Sequence, residues 1–154
     1  MTTTRRGGVE KFCTLPKRKK FPKRASSLHS PLARSAMSIE RGPVPGHGRS
    51  AWVKFNGMVW TNGHPAGKAP GDDAATQTRL ALACLDERLA QAGTDKTRIV
   101  EATVYLQNIE DKAAMDAEWR AWWTNEDGGV SRATVGAALA EGQLVEMKVM
   151  AAAP

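Results

Sequence analysis

Residues 71–109, "GDDAATQTRLALACLDERLAQAGTDKTRIVEATVYLQNI", change hydrophobic period once, and that change decides the fold. In the first part Leu82, Leu85, Leu89 and Ala92 recur at helical spacing. Asp72 and Asp73 stand where a helix N-cap is needed, and Gly93 stops the pattern. In the second part Val100, Ala102, Val104 and Leu106 alternate with Glu101, Thr103 and Tyr105, the period of a half-buried strand. A one-sided helix followed at once by a one-sided strand predicts a helix laid on a sheet.

The flanks extend the same scheme. Upstream, "AWVKFNGMVWTNG" holds two strand-like runs, 51–55 and 58–62, joined by Asn56-Gly57, a dipeptide that favours a type I′ hairpin turn. Downstream, "EDKAAMDAEWRAWW" offers Asp111 as a cap and puts Met115, Trp119 and Trp122 on one stripe, so a second helix turns its aromatics inward. Those tryptophans read either as core packing or as a platform for a cofactor. Two further strands, about 131–137 and 144–152, complete a ββαβαββ order: an α+β sandwich with one sheet and two helices on one face. The opposite sheet face is then left with apolar residues and no cover, which predicts self-association.

Length and composition set the outer limits. With 154 residues and 42% apolar composition the chain supports one globular domain with a real core. The net charge of +6 is unevenly distributed. Residues 1–36 carry ten Lys or Arg against the single acid Glu10, whereas residues 37–154 carry twelve bases against fifteen acids. The first segment, broken by Pro16, Pro22 and Pro31, is expected to be a disordered basic extension, with the domain at 37–154. It reads as a basic binding arm or nuclear-type signal at "KRKKFPKR", as an organelle transit segment, or as an extension ahead of an alternative start at Met37. Cys13 and Cys84 lie far apart with no histidine at ligand spacing, so a reduced, cytoplasmic protein without metal is expected. No run approaches the roughly 18 apolar residues of a membrane span, and no secretory pattern follows the basic start.

Candidate chemistry concentrates near the C-terminus. In "SRATVGA" alternation puts Arg132, Thr134 and Gly136 on one face, leaving room before a guanidinium suited to bidentate capture of a carboxylate. In "LVEMKVMA", Glu146, Lys148 and Met150 share a face. If the two strands are neighbours, Arg132 and Glu146 flank one cleft, the first holding an anionic substrate and the second working on water. The competing reading is a structural Arg–Glu pair at a sheet edge or subunit interface. His64 in "NGHPAG" is either a substrate donor or a solvated turn residue, and His47 and His29 carry less signal. Phosphate-loop, nucleophile-elbow and zinc-protease motifs do not occur.

The segment "QTRLALACLDERLAQAGTDKTRIVEATVYLQNIEDKAAMDAEWRAWW", followed by "SRATV" and "LVEMKVMA", resembles the RidA/YjgF family of reactive-intermediate deaminases, also labelled endoribonuclease L-PSP, and is most similar to its YoaB-like branch. The similarity covers roughly residues 46–153. It implies a chorismate-mutase-like fold, a homotrimer whose sheets form a central barrel, and clefts between subunits. It further implies hydrolysis of 2-imino or 2-enamino acids, of the 2-iminopropanoate or 2-iminobutanoate type, to 2-keto acids and ammonia without a cofactor. Arg132 matches the carboxylate-binding position, Glu146 the acidic position that places water, and Thr134 a neighbouring substrate contact. Two positions depart from the family pattern. "GHGRSAW" puts Arg49 near the tyrosine of "GPYSQ", and "NGH" puts His64 at the glutamine of "SGQ", so both join the candidate substrate-binding set.

Two other functions stay open at this stage: a non-catalytic small-molecule-binding or regulatory module, and a ribonuclease. The acidic balance of residues 37–154 limits polyanion contact to a weak, salt-sensitive attraction through the basic segment. Heparin affinity should therefore collapse with added salt and vanish from a chain that begins at Met37. Equal retention of both chains on a heparin column would place a basic site in the domain instead.

Overall fold

A computed structural model of the chain describes residues 38–69, 71–123 and 128–154. The basic segment 1–36 and the expectation attached to it lie outside the described residues. The strands are β1 Glu40–Arg41, β2 Trp52–Phe55, β3 Met58–Gly63, β4 Ile99–Leu106, β5 Ser131–Gly136 and β6 Val145–Ala152; the helices are α1 Ala74–Gln91 and α2 Lys112–Trp122. The sheet runs β1-β2-β3-β6-β4-β5, antiparallel except for the parallel β4–β5 pair. This is the α+β order expected, with a two-residue edge strand, β1, added ahead of the hairpin.

Local chemistry accounts for the elements. Asn56 and Gly57 both take positive φ, 49° and 73°, as the hairpin turn between β2 and β3 requires. Asp73 caps α1 by accepting from the Thr76 backbone N–H at 2.7 Å, while Asp72 instead accepts from the Ala69 N–H at 2.6 Å. Gly93 leaves the helix at φ 77°. Asp111 holds the cap position of α2, but its side chain makes no capping hydrogen bond, because a short 3-10 turn at Ile109–Asp111 leads into the helix.

Leu82, Leu85 and Leu89 of α1 and Met115 and Trp119 of α2 close a core with Ala102, Val104 and Leu106 of β4 and Val145, Met147, Val149 and Ala151 of β6. Trp119, Trp122 and Trp123 pack on one another, with the Trp119 and Trp122 ring centroids 5.3 Å apart, so the aromatic stripe is packing. The phase expected for β4 holds from Ala102 onward and fails at its start. A register shift between Ile99 and Glu101 turns Ile99 inward and leaves Val100 45% exposed.

Helix α1 approaches the sheet most closely at Gly63. A Cβ there would stand 2.5 Å from the Ala81 carbonyl oxygen and 2.6 Å from Leu85 Cγ, so only glycine fits. Gly63→Ala should cost about 1–3 kcal/mol through overpacking against backbone that cannot swing aside. A urea denaturation midpoint equal to that of the unsubstituted protein would show that the contact relaxes freely.

Candidate functional site

Alternation along the strands gives the sheet two unlike faces. Val59, Thr61, Ala102, Val104, Val145 and Met147 are buried on the helix side. Asn62, Tyr105, Glu146 and Lys148 point the other way, where register sets Asn62 opposite Lys148 and Tyr105 opposite Glu146. Asn62 and Glu146 are therefore diagonal neighbours across β3 and β6, within side-chain reach.

They sit where two cavities meet, of about 620 and 270 Å³, which share Arg49, Ser50, Asn62 and Glu146. Tyr105, Lys148 and the 137–139 segment line the larger one; His64, Arg88 and Gln143 line the smaller. The Glu146 carboxylate accepts from Asn62 Nδ2 at 3.3 Å on Oε1 and from Gln143 Nε2 at 3.4 Å on Oε2. Asn62 is itself held from behind, because Arg88 Nη1 donates both to its backbone oxygen, at 2.7 Å, and to its side-chain Oδ1. Arg49 lines both cavities, and among the described residues it forms no ion pair with Glu146.

His64 stands 3.6 Å through Nδ1 from the Cys84 sulfur of α1. Burial lowers its pKa below the ordinary 6.5, and the positive charges of Arg88 and Arg49 lower it further against an opposing pull from Glu146. A neutral imidazole results at neutral pH. Among the described residues no cluster of three His, Cys, Asp or Glu side chains is arranged to hold a metal ion. No helix of the described residues is long and apolar enough to cross a membrane.

Of the expected site residues, Arg49, His64 and Glu146 therefore come together, and Arg132 and Thr134 do not join them within the chain. Strand β4 separates β5 from β6, so the side-by-side arrangement entertained for Arg132 and Glu146 does not occur. Arg132 faces Ala102 in register on the helix side of the sheet, and Thr134 faces Val104 there. The space expected in front of the guanidinium is filled: Arg132 Nη2 donates to Asp116 Oδ1 and the guanidinium lies 4.8 Å from the centre of the Trp119 ring. Burial raises the Asp116 pKa, yet the hydrogen bonds from Lys112, at 2.5 Å, and Arg132 outweigh it and hold the carboxyl below its usual range.

Sequence reasoning missed Asn62, Arg88 and Gln143. The alternation of β3 carried a signal for Asn62. Arg88 carried none, because a charged residue on an amphipathic helix reads as solvated face.

The chain matches the family described as Endoribonuclease L-PSP over residues 41–153. A RutC family protein of Haemophilus ducreyi is 41% identical over 71 residues, 44% of this chain and 57% of that protein. The RutC family protein YoaB of Escherichia coli K12 is 40% identical over 81 residues, 52% of this chain and 70% of that protein. Among solved structures, NMB1025 of Neisseria meningitidis, a YjgF family member, superposes with a TM-score of 0.69 at 33% identity, covering 77% of this chain and 98% of that one.

A folded-state pKa below the unfolded one means that the unfolded chain binds more protons, so His64 withdraws stability as pH falls below 6.5. His64→Gln should flatten the decline in stability between pH 6.5 and about 5, read from urea midpoints across that range. Parallel declines in the two proteins would show that His64 protonates without penalty.

Proposed function

The chain belongs to the endoribonuclease L-PSP family, which includes the RidA/YjgF proteins, and from that premise we propose that it hydrolyses 2-imino or 2-enamino acids to 2-keto acids and ammonia. The observation that carries the reading is the Glu146 carboxylate, held on both oxygens by amide donors at the junction of two cavities and accompanied there by the Arg49 cation.

An iminium carbon is already electrophilic, so the protein has to place a water, take its proton and return a proton to the nitrogen. In this reading Glu146 orients and deprotonates the water. The new C–O bond gives a tetrahedral carbinolamine, and Glu146 passes the proton it took from water to the nitrogen. The C–N bond then breaks to release ammonia as the carbinolamine hydroxyl returns its proton to Glu146 and becomes the carbonyl of the keto acid. No cofactor enters the scheme. Arg49 draws the substrate carboxylate into the cleft and neutral His64 offers a hydrogen bond.

Arg132 enters through assembly. The sheet face away from the helices presents Val53, Phe55, Trp60 and Met150 only half-buried, an apolar surface that a homotrimer would cover. β5 is one of the two edges of the sheet, and in this reading Arg132 and Thr134, although turned to its helix side, complete a cleft of an adjoining copy across that edge. The small-molecule-binding module remains as a second reading, favoured by Arg49 and His64 where the resemblance expects a tyrosine and a glutamine.

The assay generates 2-iminopropanoate or 2-iminobutanoate with an amino-acid oxidase and follows loss of the semicarbazide-trapped product. Glu146→Gln and Arg132→Lys should each slow turnover by about 30- to 1,000-fold, equivalent to about 2–4 kcal/mol. Co-expressing the Arg132→Ala and Glu146→Gln chains should restore up to about a quarter of wild-type turnover, because some clefts of a mixed ring receive both intact residues. Unchanged trapping across several imino acids would refute deamination and promote the binding-module reading. An active Arg132→Ala protein would assign the carboxylate to Arg49 alone.

A further inference from the structure

We infer that Arg88 of α1 is a positioning residue for Glu146, acting through the side-chain amide of Asn62. The inference rests on the reading of Glu146 as the group that works on water.

A carboxamide has two orientations that differ little in shape and are opposite in hydrogen bonding. Toward Glu146 only the NH₂ end is acceptable, since an amide oxygen there would face a carboxylate with no proton between them. Arg88 removes the ambiguity. A guanidinium donates and cannot accept, so its Nη1 contact with Oδ1 commits the oxygen of Asn62 to the helix and leaves Nδ2 for Glu146 Oε1. The same Nη1 donates to the Asn62 backbone oxygen at 2.7 Å, which fixes the end of β3 as well as its side chain. Turning the amide over would lose both favourable contacts and create two repulsive ones.

The interposed amide also matters for chemistry. A guanidinium forked directly onto Glu146 would occupy the lone pairs that an attacking water needs. Asn62 takes one position on Oε1 and Gln143 one on Oε2, which leaves each oxygen a further lone pair on a residue that lines both cavities. Arg88 thus aims the carboxylate from a distance without consuming it. It reaches the site because it lies one turn beyond Leu85, which packs over Gly63 at the end of the same strand.

The test uses Arg88→Met, which keeps most of the apolar stem, and Arg88→Lys, which keeps a single donor. Arg88→Met should lower kcat by about ten- to a hundredfold with KM nearly unchanged, since the loss is in aim and the substrate anchor stays. Arg88→Lys should recover part of that loss. Combined with Glu146→Gln, Arg88→Met should add nothing to the single Glu146→Gln defect, a non-additivity that a general packing defect would not produce. A second arm does not depend on turnover. The two Nδ2 protons of Asn62 should give shifted, exchange-protected NMR signals in the wild type that move toward free-amide positions and exchange faster with water in Arg88→Met. If the wild type deaminates none of the imino acids, the deamination reading falls and the amide signals alone decide the positioning role. Unchanged amide signals in folded Arg88→Met, or additive losses in the double variant, would overturn the inference.

Discussion

The close contact of α1 with β3 at Gly63 is the constraint on which the site depends. Any side chain at that position would meet the Ala81 carbonyl and Leu85, so the helix lies nearer the strand than ordinary packing allows. One helical stripe then does two jobs. Ala81 and Leu85 bury themselves on the sheet, and Cys84 and Arg88, adjacent on the same face, are carried to the strand end where His64 and Asn62 stand. Core packing and site geometry are set by the same few ångströms of interhelix-to-sheet distance, and they cannot be tuned separately.

The sheet divides the labour further. Its helix side is mostly apolar; there Thr61 donates to the Ala51 carbonyl at 2.7 Å and Arg132 to Asp116, while the buried Trp52 indole N–H finds no acceptor among the described residues. Its other side mixes carboxylate, amide and cations with half-buried aromatics. Because strand alternation has a period of two, β6 supplies Val145 and Met147 to the core and Glu146 to the cleft between them, so the carboxylate stands on a strand fixed by its buried neighbours. That rigidity favours a group whose task is to hold one direction.

What the sequence made legible follows from range. The hairpin at Asn56-Gly57, the capped and glycine-stopped α1 and the alternation of β4 are set by residues within a few positions of one another, and each could be read. The β4 bulge escaped because Ile99 and Val100 are both apolar, and nothing local says which of them turns in. Strand order is a long-range property, so the reading of Arg132 and Glu146 as neighbours had no means of knowing that β4 would lie between them. Arg49, His64 and Glu146 entered the candidate set through the resemblance and their residue type. Asn62 and Arg88 acquire meaning only from each other's position.

The surroundings of Arg132 decide what it can do if a substrate carboxylate arrives there. Asp116 is bridged by two cations, Lys112 and Arg132, so the cluster carries one more positive charge than negative. Withdrawing Arg132 from Asp116 would not leave a bare, half-buried carboxylate, because the Lys112 contact at 2.5 Å remains. That lowers the cost of exchange compared with an isolated pair, where removing one partner strands the other. Trp119 meanwhile keeps its face against the guanidinium and limits the directions in which it can turn. Engagement with Asp116 is therefore compatible with a second, competing carboxylate: the pair parks the guanidinium in a restricted orientation, and the excess cation keeps the neighbourhood attractive to an anion.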